Sequence, residues 1–153
     1  MGLLECASAA SVWRGRDYYE DKKVKNLTEI SDGIFTADVI GTASEPYIVN
    51  LDAAHPRKST CNCPHADGKR IVCKHIVATY FTAYPEEVIR FHQECLKAQE
   101  EEEAWEEELY DRVQAYIGHM KKNELQQALL ELLFDGPEWQ FERFVRDHDL
   151  DEY

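Results

Sequence analysis

Residues 61–75 decide the fold, and they read Cys-Asn-Cys-Pro-His-Ala-Asp-Gly-Lys-Arg-Ile-Val-Cys-Lys-His. Three of the chain's five cysteines fall within this stretch, and a histidine follows the last of them. In an intracellular protein such a cluster indicates a metal site rather than disulfides. Three thiolates and one imidazole are the ligands of a closed, tetrahedral, structural zinc site. The sequence therefore predicts one zinc ion held by Cys61, Cys63, Cys73 and His75.

Three alternatives bear on this site. The cysteines could be ordinary core residues beside a chance histidine, although their crowding argues against that. A catalytic zinc is disfavoured because catalytic sites usually combine three protein ligands with one open coordination position. His65 is a rival imidazole close to Cys63, and the sequence alone leaves its role open.

The segments before the cluster predict a helix followed by a small antiparallel sheet. Leu3 to Tyr19 is rich in Ala, Leu and aromatic residues, and we expect a helix or a pair of helical turns broken near Gly15. Alternating apolar and polar residues separated by short turns then predict a three-stranded meander. Its strands are expected at residues 22–30, 34–40 and 47–52.

The segments after the cluster predict helices. One begins at Lys74, and a second begins at Pro85 and continues without a breaking residue to about Ile117. A third is expected from a capping box formed by Asn123 and Gln126 to Phe134, and a fourth from Glu138 to about Asp147. We expect residues 88–95 to pack on the zinc-binding part. The last two helices should be covered by Trp105, Leu109 and Tyr116.

Charge divides the chain into two parts. The 153 residues carry a formal net charge of −13. Residues 1–80 contain 10 basic and 10 acidic side chains, whereas residues 81–153 contain 7 basic and 20 acidic ones. We therefore predict an α+β zinc-binding domain at residues 1–84, with its finger at 61–75, and an acidic all-helical extension at 85–153.

The cysteine and histidine pattern resembles the SWIM zinc finger. The segment 14–19, Arg-Gly-Arg-Asp-Tyr-Tyr, is similar to the element that precedes SWIM fingers. The spacing of Gly41 and Tyr47-Ile48-Val49 resembles the family's Gly-x5-Tyr-x-Val pattern, and residues 73–78, Cys-Lys-His-Ile-Val-Ala, resemble its closing helix. The resemblance covers about residues 14–84. It implies interactions with nucleic acid and protein, beside Swi/Snf-type helicases, transposase-like proteins or recombinase-assembly factors.

The basic residues suggest where nucleic acid would bind. Residues 50–80 carry a net charge of +3, and tyrosines near the finger offer rings for base stacking. The alternative is a solvated basic surface over core tyrosines. The candidate contacts are Arg14, Arg16, Arg57, Lys58, Lys69, Arg70 and Lys74, with Tyr18, Tyr19 and Tyr47 as candidate stacking residues.

The acidic part is the expected protein-binding surface, with Glu101, Trp105 and Leu109 as candidate contacts. A helical face that is merely solvated, or one that imitates nucleic acid, is the alternative. Cys6 and Cys95 are expected to be small apolar side chains rather than redox sites.

Taken together, these features predict a zinc-stabilised nucleic-acid- or protein-binding adaptor that works with a DNA- or RNA-processing enzyme and is not itself an enzyme. The alternative is an acidic protein-interaction or inhibitory module in which zinc is purely structural. No apolar run is long enough to span a membrane. We expect a cytoplasmic protein, or a nuclear one in a eukaryote.

Overall fold

A computed structural model describes residues 2–150 of the chain. Its contacts divide into two compact units, the first ending at Leu96 and the second beginning at Lys97. The predicted domain boundary after Tyr84 falls between two helices of the first unit. That residues 1–84 fold as a domain of their own remains a prediction. None of the helices within residues 2–150 is long and apolar enough to cross a membrane.

The first unit combines a sheet with two helices and the beginning of a third, so the predicted α+β class is confirmed. A 3-10 turn at Leu4–Cys6 precedes α1 (Ala9–Glu20), and Ser8 caps α1 by accepting a hydrogen bond from the Ser11 N–H. The remaining elements are β1 (Val24–Ser31), β2 (Ile34–Val39), β3 (Tyr47–Asp52), a 3-10 turn (Pro56–Lys58), β4 (Thr60–Cys61), α2 (Lys74–Ala83) and the start of α3 (Pro85–His119).

The sheet is antiparallel with the strand order β1-β2-β3-β4. The alternation in the sequence places Phe35, Ala37 and Val39 of β2 on the buried face, beside Val49 and Leu51 of β3. α2 packs against the sheet, and α1 packs against α2. The fully buried Ile76, Val77 and Phe81 lie in the resulting core.

Two sequence expectations for this unit were wrong. The sheet has a fourth strand, β4, whose two residues are too few to show any alternation. Helix α1 is not broken at Gly15, which is buried within it. A Cβ at this position would lie 2.5 Å from Cγ1 of Val77, so Gly15 permits α1 and α2 to approach closely.

The first turns of α3 belong to the same core, as predicted. Val88 is buried, and Phe91 is half-buried against the cluster of core residues. The rings of Phe91 and Trp13 pack in a T-shaped arrangement at a centroid distance of 5.1 Å.

The second unit consists of the rest of α3 together with α4 (Lys122–Phe134) and α5 (Glu138–Asp147). α4 is capped by the carboxylate of Glu124, which accepts a 2.8 Å hydrogen bond from the Lys121 N–H, and not by the predicted Asn123–Gln126 pair. The expected packing of Trp105, Leu109 and Tyr116 on the last helices is also wrong. These side chains are 60%, 39% and 69% exposed.

Candidate metal centre

Two segments of the chain supply the four predicted ligands. Cys61 ends β4, and Cys63 follows it in the next turn. Cys73 is the N-cap of α2, and His75 lies in its first turn. All four side chains are buried, with 1–3% of each residue exposed. The β4 edge and the start of α2 therefore face each other across a buried cluster.

The ligand atoms have the spacing that a tetrahedral zinc site requires. Nδ1 of His75 lies 3.6 Å from Sγ of Cys61 and 3.9 Å from Sγ of Cys73. All four ligand atoms lie within 4.8 Å of one another. Zinc bonds of about 2.3 Å to sulfur and about 2.0 Å to nitrogen imply sulfur–nitrogen edges of about 3.5 Å. The cluster fits zinc through Nδ1 of His75.

The loop between the two ligand pairs is held by its own backbone. The carbonyl of Cys63 accepts hydrogen bonds from the N–H groups of Ala66 and Asp67, at 2.9 and 2.8 Å. Gly68 then adopts a φ of +68°, a conformation that suits glycine because it has no Cβ. The loop thus turns back towards Cys73.

The thiols of Cys61 and Cys73 influence each other's ionisation. A hydrogen bond from Cys61 to the Cys73 sulfur lowers the pKa of Cys73 to about 4 and raises the pKa of Cys61. His75 and the backbone N–H groups of His75 and Ile76 also favour the Cys73 thiolate. Thiolate is the form that binds zinc, and the largest contribution to the Cys73 thiolate comes from Cys61, with smaller ones from the start of α2.

Aromatic rings enclose the imidazole of His75. The ring of Tyr47 stacks on it at a centroid distance of 4.6 Å, and the ring of Tyr18 lies at 5.3 Å. A Cβ on Gly41 would collide with the Tyr47 ring, so this glycine makes room for the stack. These contacts give a physical meaning to the Gly-x5-Tyr spacing seen in the sequence.

His65 lies outside the ligand cluster. Its side chain is exposed and borders a cleft of about 370 Å³, together with Arg14 and Lys74. Because the cluster already has four buried ligands, the geometry gives His65 no place in the metal coordination.

Four of the predicted basic residues line one groove. The turn after β3 supplies Arg57 and Lys58, and the finger loop supplies Lys69 and Arg70. All four are exposed, and the groove has a volume of about 740 Å³. No carboxylate lines it among the described residues. Ten residues lie between these two pairs in the sequence, and the fold brings the pairs together.

The other predicted basic residues are placed differently. Arg14 is exposed, whereas Arg16 lies 3.2 Å from Asp17 and 3.3 Å from Glu20 in ion pairs. The Nζ atom of Lys74 donates a 2.7 Å hydrogen bond to the Tyr18 hydroxyl. Arg16 and Lys74 therefore already have partners within the protein.

The candidate stacking tyrosines are likewise engaged. Tyr18 and Tyr47 contact His75, and Tyr19 meets Phe81 at a centroid distance of 6.3 Å. All three are half-buried, so the core interpretation of these tyrosines fits the structure better than base stacking does.

Sequence reasoning missed one residue of the site, Asn62. Its side-chain oxygen accepts a 2.8 Å hydrogen bond from the Ile48 N–H. Its own N–H donates to the Ile48 carbonyl at 3.3 Å. Asn62 thereby joins the first ligand pair to β3. Its position between two cysteines was the only available signal.

The candidate protein contacts lie on α3 in the second unit. Trp105 and Leu109 are exposed, and Glu101 forms a surface ion pair with Lys97 at 3.6 Å. Nothing in this unit resembles the metal cluster among the described residues.

Comparison with known families agrees with this geometry. Residues 47–84 match the family model of the SWIM zinc finger. The match runs from β3 to just beyond the end of α2 and includes all four ligands. Residues 47–84 therefore form a SWIM-type zinc finger, and its four buried Cys and His side chains are consistent with zinc binding. No curated protein and no solved structure matches the chain.

Proposed function

We propose that the chain is a zinc-stabilised adaptor that binds the phosphate backbone of nucleic acid through the groove lined by Arg57, Lys58, Lys69 and Arg70. In this proposal the acidic helical unit binds a protein, and the chain accompanies a DNA- or RNA-processing enzyme. The convergence of four exposed cations on one groove without a carboxylate is the observation that carries the proposal.

The position of the groove links it to the metal site. Arg57 and Lys58 precede Cys61 by a few residues, and Lys69 and Arg70 lie between Cys63 and Cys73. One wall thus lies just before the first zinc ligand, and the other belongs to the loop between the two ligand pairs. Zinc would fix the spacing of the cations, which a flexible loop would leave variable.

The ligand set also supports a structural role for the metal. Four buried protein ligands complete a tetrahedron and leave no coordination position for a substrate. We therefore propose binding rather than catalysis as the function of this unit.

The groove should bind weakly and in a salt-dependent manner. Phosphate contacts release counterions, so affinity falls as salt rises, with a slope of about −0.9 per contact on duplex DNA and about −0.7 on single strands. Removal of all four cations should therefore make the plot of log affinity against log salt concentration shallower, by up to about four units of slope. The proposal leaves the choice between DNA and RNA to experiment.

The test is a salt series with labelled single-stranded DNA, duplex DNA and RNA. The variant carries Arg57→Ala, Lys58→Ala, Lys69→Ala and Arg70→Ala together. The matched control removes the same charge from the second unit through Lys97→Ala, Arg112→Ala, Lys121→Ala and Lys122→Ala. We expect the groove variant to lose binding and the control to retain it. Equal binding by both variants, or a response that is flat with salt, would refute the proposal.

A further inference from the structure

The helical unit that begins at Lys97 has many apolar side chains, and none of those described as far as Leu150 is buried. Every described residue from 97 to 150 is exposed or half-buried. Helices that are stable in water usually bury an apolar face. Exposed apolar residues that form a contiguous surface mark a candidate site for interaction.

One uncovered apolar surface is a stripe on α3 formed by Trp105, Leu109, Val113 and Tyr116. These residues recur at intervals of four, four and three, which places them on one side of the helix. They are 60%, 39%, 48% and 69% exposed. We call these four residues the α3 stripe.

Carboxylates surround the N-terminal end of the α3 stripe. Glu101, Glu102, Glu106 and Glu108 all lie within four residues of Trp105. Over the whole unit, residues 97–150 carry 15 acidic and 6 basic side chains. A partner must therefore present an apolar face together with positive charge.

We propose that the α3 stripe binds a basic amphipathic helix of a protein partner. Such a helix would place its apolar face on Trp105 and Leu109 and its Lys or Arg side chains against the neighbouring glutamates. A second copy of this chain is disfavoured, because its own acidic unit would repel the first. Nucleic acid is disfavoured for the same reason. The inference specifies the protein partner within the proposed function and does not depend on the basic groove.

The test uses the full zinc-loaded chain and a labelled synthetic peptide of about 18 residues, which is five helical turns. The peptide consists of Leu and Lys arranged with one apolar face. Two controls define the chemistry that is recognised. One has the same composition in an order without an apolar face, and the other replaces every Lys by Glu. Fluorescence anisotropy measures binding, and sedimentation reports the oligomeric state of the chain.

The variant is Trp105→Ala with Leu109→Ala, and its matched control is Ile30→Ala with Ile40→Ala. Ile30 and Ile40 are 63% and 45% exposed in the first unit, so both variants remove similar apolar surface. Because alanine favours helix, the α3 variant should keep its helical circular dichroism. We expect it to weaken peptide binding at least about tenfold, as loss of an aromatic anchor does. The control should bind like the parent chain.

A second arm tests the role of charge. Glu101→Gln with Glu108→Gln should weaken peptide binding at low salt, and added salt should weaken the parent's binding. Added salt would instead strengthen self-association of the chain, because it would screen the repulsion between the acidic copies.

Four outcomes would overturn the inference: no binding of the Leu/Lys peptide, equal binding of the rearranged peptide, an unaffected Trp105 and Leu109 variant, or a chain that is already dimeric through this stripe. Measurement of both ligands on one sample separates the two proposals. Loss of peptide binding with intact nucleic-acid binding rejects only the α3 stripe. Loss of nucleic-acid binding with intact peptide binding rejects only the proposal for the basic groove.

Discussion

At the level of single residues, the zinc site depends on side chains that are not ligands. Gly41 leaves room for Tyr47, Tyr47 stacks on His75, and Asn62 ties the first cysteine pair to β3. The ligands themselves could be predicted from the sequence, because cysteine and histidine at this spacing have few other uses. The contact of Tyr47 with His75 and that of Asn62 with β3 could not be predicted, because both depend on how β3 meets the finger.

Gly15 provides a test of the packing between α1 and α2. In Gly15→Ala the new methyl group would collide with the buried Val77, and overpacking of this kind costs about 1–3 kcal/mol. Denaturant unfolding of zinc-loaded protein should show this loss. Gly118→Ala is the control, because Gly118 lies in α3 with open space around it. That change should stabilise the helix by up to about 1 kcal/mol. Equal effects would contradict the packing described.

Tyr80 gives a prediction about pH. Its burial, with a smaller effect from the nearby carboxylate of Glu87, raises the pKa of Tyr80 to about 12. The folded protein therefore favours the neutral phenol, whose ordinary pKa is about 10. This preference adds its full contribution to the free energy of unfolding below a pH of about 10. That contribution disappears as the pH rises towards 12. In an absorbance titration of tyrosinate, Tyr80→Phe should remove a late phase. A titration without such a phase would contradict this environment for Tyr80.

At the level of secondary-structure elements, alternation and breaking residues predicted most of the fold. β2 and β3 appeared where Phe35, Val39, Val49 and Leu51 indicated, and α2 began at the expected Lys74. β4 could not be predicted, because two residues pair with β3 only when the finger loop folds back. The continuation of α1 through Gly15 could not be predicted either, because Gly15 packs against Val77, which is distant in sequence.

The finger elements should depend on zinc. Binding of a structural metal contributes directly to folding, so a chelator should remove hydrogen-exchange protection from β3, β4 and the start of α2. Cys61→Ser should reproduce this loss without a chelator. Cys95→Ser is the matched control, because Cys95 is a half-buried cysteine outside the cluster. Protection that persists in Cys61→Ser would show that the elements form without the metal.

At the level of the whole molecule, charge and burial differ between the two units. The first contains the core and the zinc site, and the second contains most of the acidic charge and no buried residue among those described. The sequence predicted this division of charge by simple counting. It could not predict that Trp105, Leu109 and Tyr116 would remain exposed, because an apolar residue on a helix does not reveal what covers it.

The difference in burial predicts that the two units protect their backbone amides from hydrogen exchange to different degrees. Amides in α4 and α5 should exchange with solvent much faster than those in α2, because local stability follows buried apolar contact. Hydrogen exchange on the free chain measures this directly. Similar protection in α2 and α4 would indicate that the second unit is covered in solution.

Acidification should also release zinc, since protons compete for its thiolate and imidazole ligands.

The most direct measurement is the zinc content of the purified chain by native mass spectrometry. One zinc per chain is expected, with loss of the metal in Cys73→Ser and His75→Ala. The same metal content as the parent is expected in His65→Ala and Cys95→Ser, which change residues outside the cluster. A chain without zinc, or zinc that depends on His65 and not on His75, would contradict the site described.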